Sequence, residues 1–402
     1  MAEGMALSST ASAQALPPLW IISLLPALGL FASAVHLPSI PAMVADFGVG
    51  PGEVQDTITV YLASMALFSL VVGPMSDRLG RRHVGLAMLF VFLVGSIVAL
   101  MAHSVPMLLA GRVLQGIGAS GGLVLSRSMV KDALSGPAAA KAAAQVSMVV
   151  AMAPMLAPMF GGYVQQHLGW HANFVIVAGM ALALFIFAAR RLVETLPADK
   201  RNANNFLSMA TSYVGLLRMR KFQVHTIPVM CGAIGLFTFQ TGAPVLLIGN
   251  MQVAPEDYGL FAAMPAAGFM MGTFLTTRMA SRVSEKSLIE GGCLLFIAAG
   301  TLITLLTLGF PPTPWSVALP MLLFGVGNGL LMPTATLGSM SAAPLVVGSA
   351  AALVSCLRIG AGSMGSLVIT MTPSNTALSL GCVMCFAGCS EFLSWAWLGK
   401  GN

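Results

Sequence analysis

The chain has 402 residues, of which 57% are hydrophobic and only 8% carry a charge, against about 25% charged in soluble globular domains. So few charges cannot cover the surface of a soluble fold. The formal charge of +6 does not indicate a nucleic-acid partner either, because that requires basic residues gathered on one face with aromatics among them, and here they sit in short segments between apolar runs.

A hydrocarbon core about 30 Å thick takes roughly 20 apolar residues per helix. Runs of that length occur at 19–43, 54–75, 83–102, 106–127, 142–163 and 173–189, and after a polar gap at 224–248, 258–277, 288–310, 315–337, 346–371 and 377–398. The expectation is an all-α integral membrane protein of twelve helices. The tail before Leu19 has no Lys or Arg, so it lacks the positive start of a cleaved signal, and the first run is expected to remain as a helix.

Lys and Arg favour cytoplasmic loops. Seventeen of the nineteen lie in the segments after spans 2, 4, 6, 8 and 12, and Arg112 and Arg358 lie inside spans. The alternate loops have none, although Asp46, Glu53, Asp56, Glu256 and Asp257 fall there. Both termini are therefore expected to be cytoplasmic. The polar stretch 190–222 divides the chain into a six-span half at 19–189 and another at 223–398, flanked by tails 1–18 and 399–402, the arrangement of parallel transporter repeats. Gly73 to Arg78, ending span 2, is echoed by Gly272 to Arg278, ending span 8.

The loop after span 2 reads Gly73-Pro74-Met75-Ser76-Asp77-Arg78-Leu79-Gly80-Arg81-Arg82-His83. An ordinary positive loop needs no acid and no pair of glycines at fixed offsets. Gly73 permits close helix approach, Gly80 a tight turn, and Asp77 can pair with an arginine or with the positive end of a helix. Such a cluster can hold one conformation until transport breaks it. The string closely resembles the signature loop of the major facilitator superfamily, which implies the major facilitator fold.

Three further segments resemble the twelve-span drug:proton antiporters of the bicyclomycin and chloramphenicol resistance type. They are His36-Leu37-Pro38-Ser39-Ile40-Pro41 in span 1, Arg112-Val113-Leu114-Gln115-Gly116-Ile117-Gly118-Ala119 in span 4, and Ala153-Pro154-Met155-Leu156-Ala157-Pro158-Met159-Phe160-Gly161-Gly162 in span 5. The resemblance implies a substrate and proton pathway through His36, Arg112 and Gln115. In span 5, Pro154 and Pro158 remove backbone hydrogen bonds, and Gly161 with Gly162 admits a neighbouring helix, as in a gate or in a merely kinked structural helix.

The chain departs from that branch in span 1, where Ala34 occupies the position of the family's acid. No Asp or Glu occurs between Glu3 and Asp46. His36, with an ordinary pKa of about 6.5, is the leading substitute, beside the alternative that it only bonds water or backbone. Glu290 and Glu391 are the other acids nearest membrane depth. Arg358, without support from the resemblance, is either functional or structural. An arginine at mid-span costs on the order of 3 kcal/mol to insert and should face a cavity or a partner. With no acid in span 1, the cavity is expected to favour neutral or anionic amphiphiles.

Other matches carry no chemistry. Gly116 to Gly121 and Gly360 to Gly365 fit a dinucleotide pattern inside membrane spans with no preceding strand. Gly118-Ala119-Ser120-Gly121 is similar to an intramembrane protease motif without its histidine partner, and Cys382-Val383-Met384-Cys385 has redox spacing without a second ligand pair or a neighbouring cation. The cysteines read as packing residues. The chain is therefore expected to be a secondary transporter and not an enzyme, without cofactor or metal. It would act as a monomer in the inner membrane of a bacterium and export small amphiphilic drugs against protons. A metabolite importer of the same fold is the alternative, and an intramembrane enzyme a remote one.

Overall fold

In a computed structural model the described residues are 18–201, 206–279, 282–342, 347–372 and 377–398. The expectations for the two tails, Lys400 included, fall outside them. Among the described residues there is no strand, and twelve helical spans are long and apolar enough to cross a membrane: Leu19–Phe47, Pro51–Leu79, Arg81–Leu100, Val105–Ala133, Gly136–Leu168, Trp170–Arg191, Arg220–Asn250, Tyr258–Met279, Glu285–Gly309, Pro314–Ser341, Ser349–Thr370 and Ala377–Ser394. They are called spans 1 to 12. Most spans, Pro51–Leu79, Val105–Ala133 and Gly136–Leu168 among them, run longer than the apolar runs, because polar first turns such as 51–56 and basic last turns extend the same hydrogen-bond ladder beyond the apolar core.

Two elements differ from a plain helix count. Span 1 is an α-helix over Leu19–Ala34, a 3-10 turn over Leu37–Ser39 and a second helix over Ile40–Phe47. Pro38 has no N–H to donate and crowds the residue before it, so the ladder breaks at Val35 and His36. Span 7, its counterpart in the second half, is α-helical to Ala243 and π-helical over Pro244–Asn250, again at a proline. The polar segment between the halves also contains a helix, Phe206–Arg218, whose Leu216 is buried against the second half; it is called the loop helix.

Glycine spacing sets the packing. In span 4, Gly111 lies against Ala99 N of span 3, Gly116 against Tyr61 O and Ser64 of span 2, Gly118 against Phe92 of span 3, and Gly122 against Leu25 O of span 1. Three neighbours thus approach one helix to backbone distance, which is how small residues drive helix association where no hydrophobic force acts between helices. Gly362 and Gly365 do the same for Phe237 and Ile234 O of span 7, so both dinucleotide-like matches are packing seams. The two echoed glycines face equivalent neighbours but differ in closeness: a methyl group at Gly73 of span 2 would meet Val124 of span 4 at 4.0 Å, whereas one at Gly272 of span 8 would strike Val326 O of span 10.

A methyl group at position 116 would meet Tyr61 O and the Ser64 hydroxyl, whereas one at Gly179 meets nothing within 4 Å. Overpacking costs about 1–3 kcal/mol, and alanine in an open helix position gains up to about 1 kcal/mol over glycine. Gly116→Ala is therefore expected to lower the thermal midpoint of the purified protein clearly, and Gly179→Ala to leave it unchanged or raised, read by thermal unfolding in detergent.

Candidate functional site

The break in span 1 exposes carbonyls of a helix C-terminus, which have no intrahelical partner. A cation is favoured there, and Arg112 takes the place. Its Nη1 donates to Ala32 O at 3.1 Å and to Gln115 Oε1 at 2.7 Å, its Nε donates to Thr57 O at 3.4 Å, and its guanidinium stacks 4.3 Å from the Tyr61 ring centre. Gln115 Nε2 passes the chain on to Ser96 Oγ at 3.0 Å, and Tyr61 Oη donates to Gly29 O at 2.6 Å. His36 joins through Thr57, with Nε2 3.3 Å from the Thr57 hydroxyl. Every member is buried, and Arg112, Gln115 and His36 are 0% exposed.

The structure thus brings His36, Arg112 and Gln115 together, but inside the first half rather than on a cavity wall. Of the two environments expected of a mid-span arginine, a cavity or a partner, Arg112 has the partner. Its charge is absorbed by carbonyl dipoles and an aromatic face. Thr57, Tyr61 and Ser96 are the members that sequence reasoning missed; polar residues inside an apolar run were the available signal.

Gly161 and Gly162 serve different halves. Gly161 lies against Val35 O at the span 1 break, while Gly162 lies against Pro255 O just before span 8. Asn173 of span 6 locks the first contact by donating to Ser39 Oγ at 3.0 Å and Gly161 O at 3.2 Å. Span 5 runs as one helix through Pro154 and Pro158.

Near the face bearing Asp46, Glu53 and Asp56, called the acidic face, the halves are sewn together. Gln55 Nε2 of span 2 donates to Thr241 O of span 7 at 2.8 Å. Ser366 of span 11 lies 2.8 Å from both the Thr59 and Thr241 hydroxyls, and Ser363 donates to Thr59 O at 2.9 Å. Span 5 meets span 8 chiefly through Tyr258–Ala262 at this end.

Toward the opposite, basic face a cavity of about 520 Å³ lies between spans 2, 4 and 11 and the loop helix. Asp77 and Arg81 of the signature loop line it. Arg81 pairs with Asp77 and, through Nε at 2.9 Å, with Asp132 of span 4. The backbone N–H groups of Arg81 and Arg82, at the start of span 3, are capped by Glu194 at 2.8 and 3.3 Å, and Glu194 also faces Arg201 at 3.6 Å. Arg82 donates to Leu192 O and Ala189 O. Gly80, with φ of +95°, makes the turn, and a side chain there would strike Glu194 and Arg201. Arg78 is exposed and, among the described residues, makes no ion pair. The arginine that Asp77 pairs with is Arg81.

Arg358 of span 11 is partly exposed and stands one helical turn beyond Ser355, whose hydroxyl Arg127 of span 4 bonds at 3.2 Å. Glu391 stands elsewhere, sealed at 0% exposure in the second half beside Cys293 and Cys231, with neither carboxyl oxygen in a hydrogen bond of good geometry. Glu290 faces Lys286 at 3.8 Å on the surface. Ser120 spends its hydroxyl on Ile117 O and His36 is bonded to Thr57, so no serine–histidine pair forms. All six cysteines are free.

A buried arginine network in one half, glycine seams repeated in the other and a charged latch between spans 2, 3 and 4 are the parts of an alternating-access carrier. A profile of the Major Facilitator Superfamily matches residues 22–366. The chain belongs to the Major Facilitator Superfamily. It is a multi-pass membrane transporter and not an enzyme. It is 29% identical over 378 residues to Multidrug resistance protein D of Escherichia coli (strain K12), covering 94% of each. It is 27% identical to a Bicyclomycin resistance protein homolog of Haemophilus influenzae, covering 89% of each, and 28% identical to the Chloramphenicol resistance protein of Pseudomonas aeruginosa, covering 85% of this chain and 81% of that one. These relatives agree with the branch resemblance of spans 1, 4 and 5. Among solved structures, the peptide transporter POT superposes with a TM-score of 0.75 at 12% identity, covering 95% of each chain. A partially occluded inward-open xylose transporter XylE from E. coli superposes with a TM-score of 0.69 at 15% identity, covering 95% of this chain and 97% of that one. At such identities they show the shared fold.

The latch yields a direct test. Arg81→Gln removes both carboxylate partners at once and is expected to abolish transport while substrate affinity stays within a few-fold; Asp77→Asn should act in the same direction. Arg78→Gln, on an exposed side chain, should keep most of the activity. Transport into proteoliposomes beside equilibrium binding reads both, and a transport defect in Arg78→Gln as deep as that in Arg81→Gln would contradict the assignment.

Proposed function

We propose that this transporter exports small amphiphilic compounds, antibiotics of the phenicol and bicyclomycin kind among them, and is driven by protons. It sits in the inner membrane of a bacterium with both termini and the basic face in the cytoplasm, and acts as a monomer. The observation that carries this reading is the asymmetry of the seam between the halves: hydroxyls and glycines join them at the acidic face, while a cavity of about 520 Å³ lies toward the basic face. That asymmetry fits a carrier receiving compounds from the cytoplasm, and the resistance proteins named above support the substrate class.

In this reading the proton is handled by the buried network of the first half. His36 replaces the missing acid, and because it shares Thr57 with Arg112, a proton on the imidazole places a second positive charge beside the guanidinium. Like charges in a low-dielectric site repel strongly, and the repulsion can only be relieved by moving span 1 against spans 2 and 4. That converts a proton into a helix displacement. Glu391 is the second group to examine.

Expression in a host lacking its own pumps tests the function. Raised resistance to phenicol-like compounds together with lowered accumulation is expected, and growth rescue on a single nutrient without any resistance would instead identify an importer. His36→Gln is expected to remove the dependence of transport on the pH gradient in vesicles, leaving downhill substrate flux. Unchanged pH dependence would move coupling to another group.

A further inference from the structure

The vestibule on the basic side contains cations that the signature-loop latch does not use. Arg127 lines it from span 4 and makes one hydrogen bond there, Nη1 to Ser355 Oγ of span 11 at 3.2 Å. Arg358 stands on the same span 11 helix, one turn beyond Ser355, and is partly exposed. Among the described residues neither guanidinium has a carboxylate partner. The vestibule's two acids, Asp77 and Asp132, both pair with Arg81. Lys131 adds a further cation to the lining.

Tyr213 of the loop helix completes the wall, and its hydroxyl is buried without a hydrogen-bond partner. Burial, with Cys356 and Asp77 nearby, holds this phenol above its ordinary range, so it remains a neutral donor. The cavity wall thus holds the Arg127 guanidinium and a spare hydroxyl, with a second guanidinium, Arg358, one helical turn beyond Ser355, and a guanidinium presents its N–H groups as a fork matching a carboxylate or phosphonate.

We infer that Arg127 and Arg358 form an anion clamp for the acidic group of an amphiphilic substrate. The inference rests on the reading of the inter-half cavity as the transport path and deepens it by naming a substrate class, organic acids with an apolar body. The two arginines belong to opposite halves of the carrier. Their repulsion opposes closure of the basic face while the site is empty, and an anion between them reverses the sign of the interaction, so closure follows binding.

The test compares two probes of one shape, 1-naphthoate and its uncharged amide, 1-naphthamide, by equilibrium binding to the purified full-length protein. Arg127→Gln and Arg358→Gln are each expected to weaken naphthoate binding at least tenfold and to leave naphthamide within about twofold, with Arg358→Lys intermediate and wild-type naphthoate affinity falling as salt rises. Both Gln variants remove one of two repelling charges, so their thermal midpoints should not drop, which separates loss of the clamp from loss of the fold. Equal losses for both probes, unchanged naphthoate binding in the variants, or no saturable naphthoate binding to the wild type would each overturn the clamp. Cells keep the two readings apart. Resistance to neutral phenicols without naphthoate binding leaves export standing and removes the clamp. The expected binding pattern without any resistance or reduced accumulation supports the clamp and removes export.

Discussion

Within a bilayer no water is available to satisfy a backbone carbonyl or a guanidinium, and the first half of this protein is arranged around one place where both problems arise together. Pro38 breaks the span 1 ladder, leaving carbonyls of the last turn without helical donors, and Arg112 fills that position. Each relieves part of the other's desolvation cost, with Arg112 Nη2 left buried without a hydrogen-bond partner. Removing one partner of such an arrangement leaves a buried polar group unmatched, which costs more than the interaction itself contributes. The aromatic face of Tyr61 and the amide of Gln115 complete the shell, and the glycines of span 4 allow spans 1, 2 and 3 to come near enough for it to form.

The rest of the first half follows from this fixed point. With span 1 pinned to spans 2 and 4, Val35 O stands where Gly161 of span 5 can rest on it, and Asn173 ties both to span 6. Gly162, one residue on, turns the same helix toward Pro255 of the second half. Events at the span 1 break are therefore one residue of span 5 away from the inter-half seam. At the other end of the spans the charged latch fixes spans 2, 3 and 4 through Arg81, with Glu194 capping span 3. The first half is thus tied together at both ends of its spans. The seam between halves relies on neutral hydroxyls such as Thr59, Thr241 and Ser366, contacts that can be exchanged without stranding a charge.

The number of spans and the glycine-rich loop were legible in the sequence because each depends on local quantities: apolar length, and residues that only a turn or a close approach requires. Arg112 was recognisable as exceptional for the same reason, since a charge inside an apolar run must have a partner. The partner itself was not legible. Whether an arginine meets a cavity, a carboxylate or carbonyls depends on which helix faces are turned together, and that is set by packing between segments far apart in the chain. Arg78 and Arg81 are equally basic in sequence, yet only Arg81 points back to Asp77 and across to Asp132, because the turn at Gly80 reverses the chain between them.

The sequence by itself determined that this chain lies in a membrane and how many times it crosses, since apolar length sufficient to span the hydrocarbon core is a property of each segment alone. Tertiary structure alone decided the fate of the charges: Arg112 withdrawn into a carbonyl-lined interior, Glu391 sealed in the second half, and Arg127 bonded to Ser355 across the seam. The physical reason is that hydropathy is summed along one segment, whereas the electrostatic meaning of a charge is fixed by the few ångströms around it, which other helices supply.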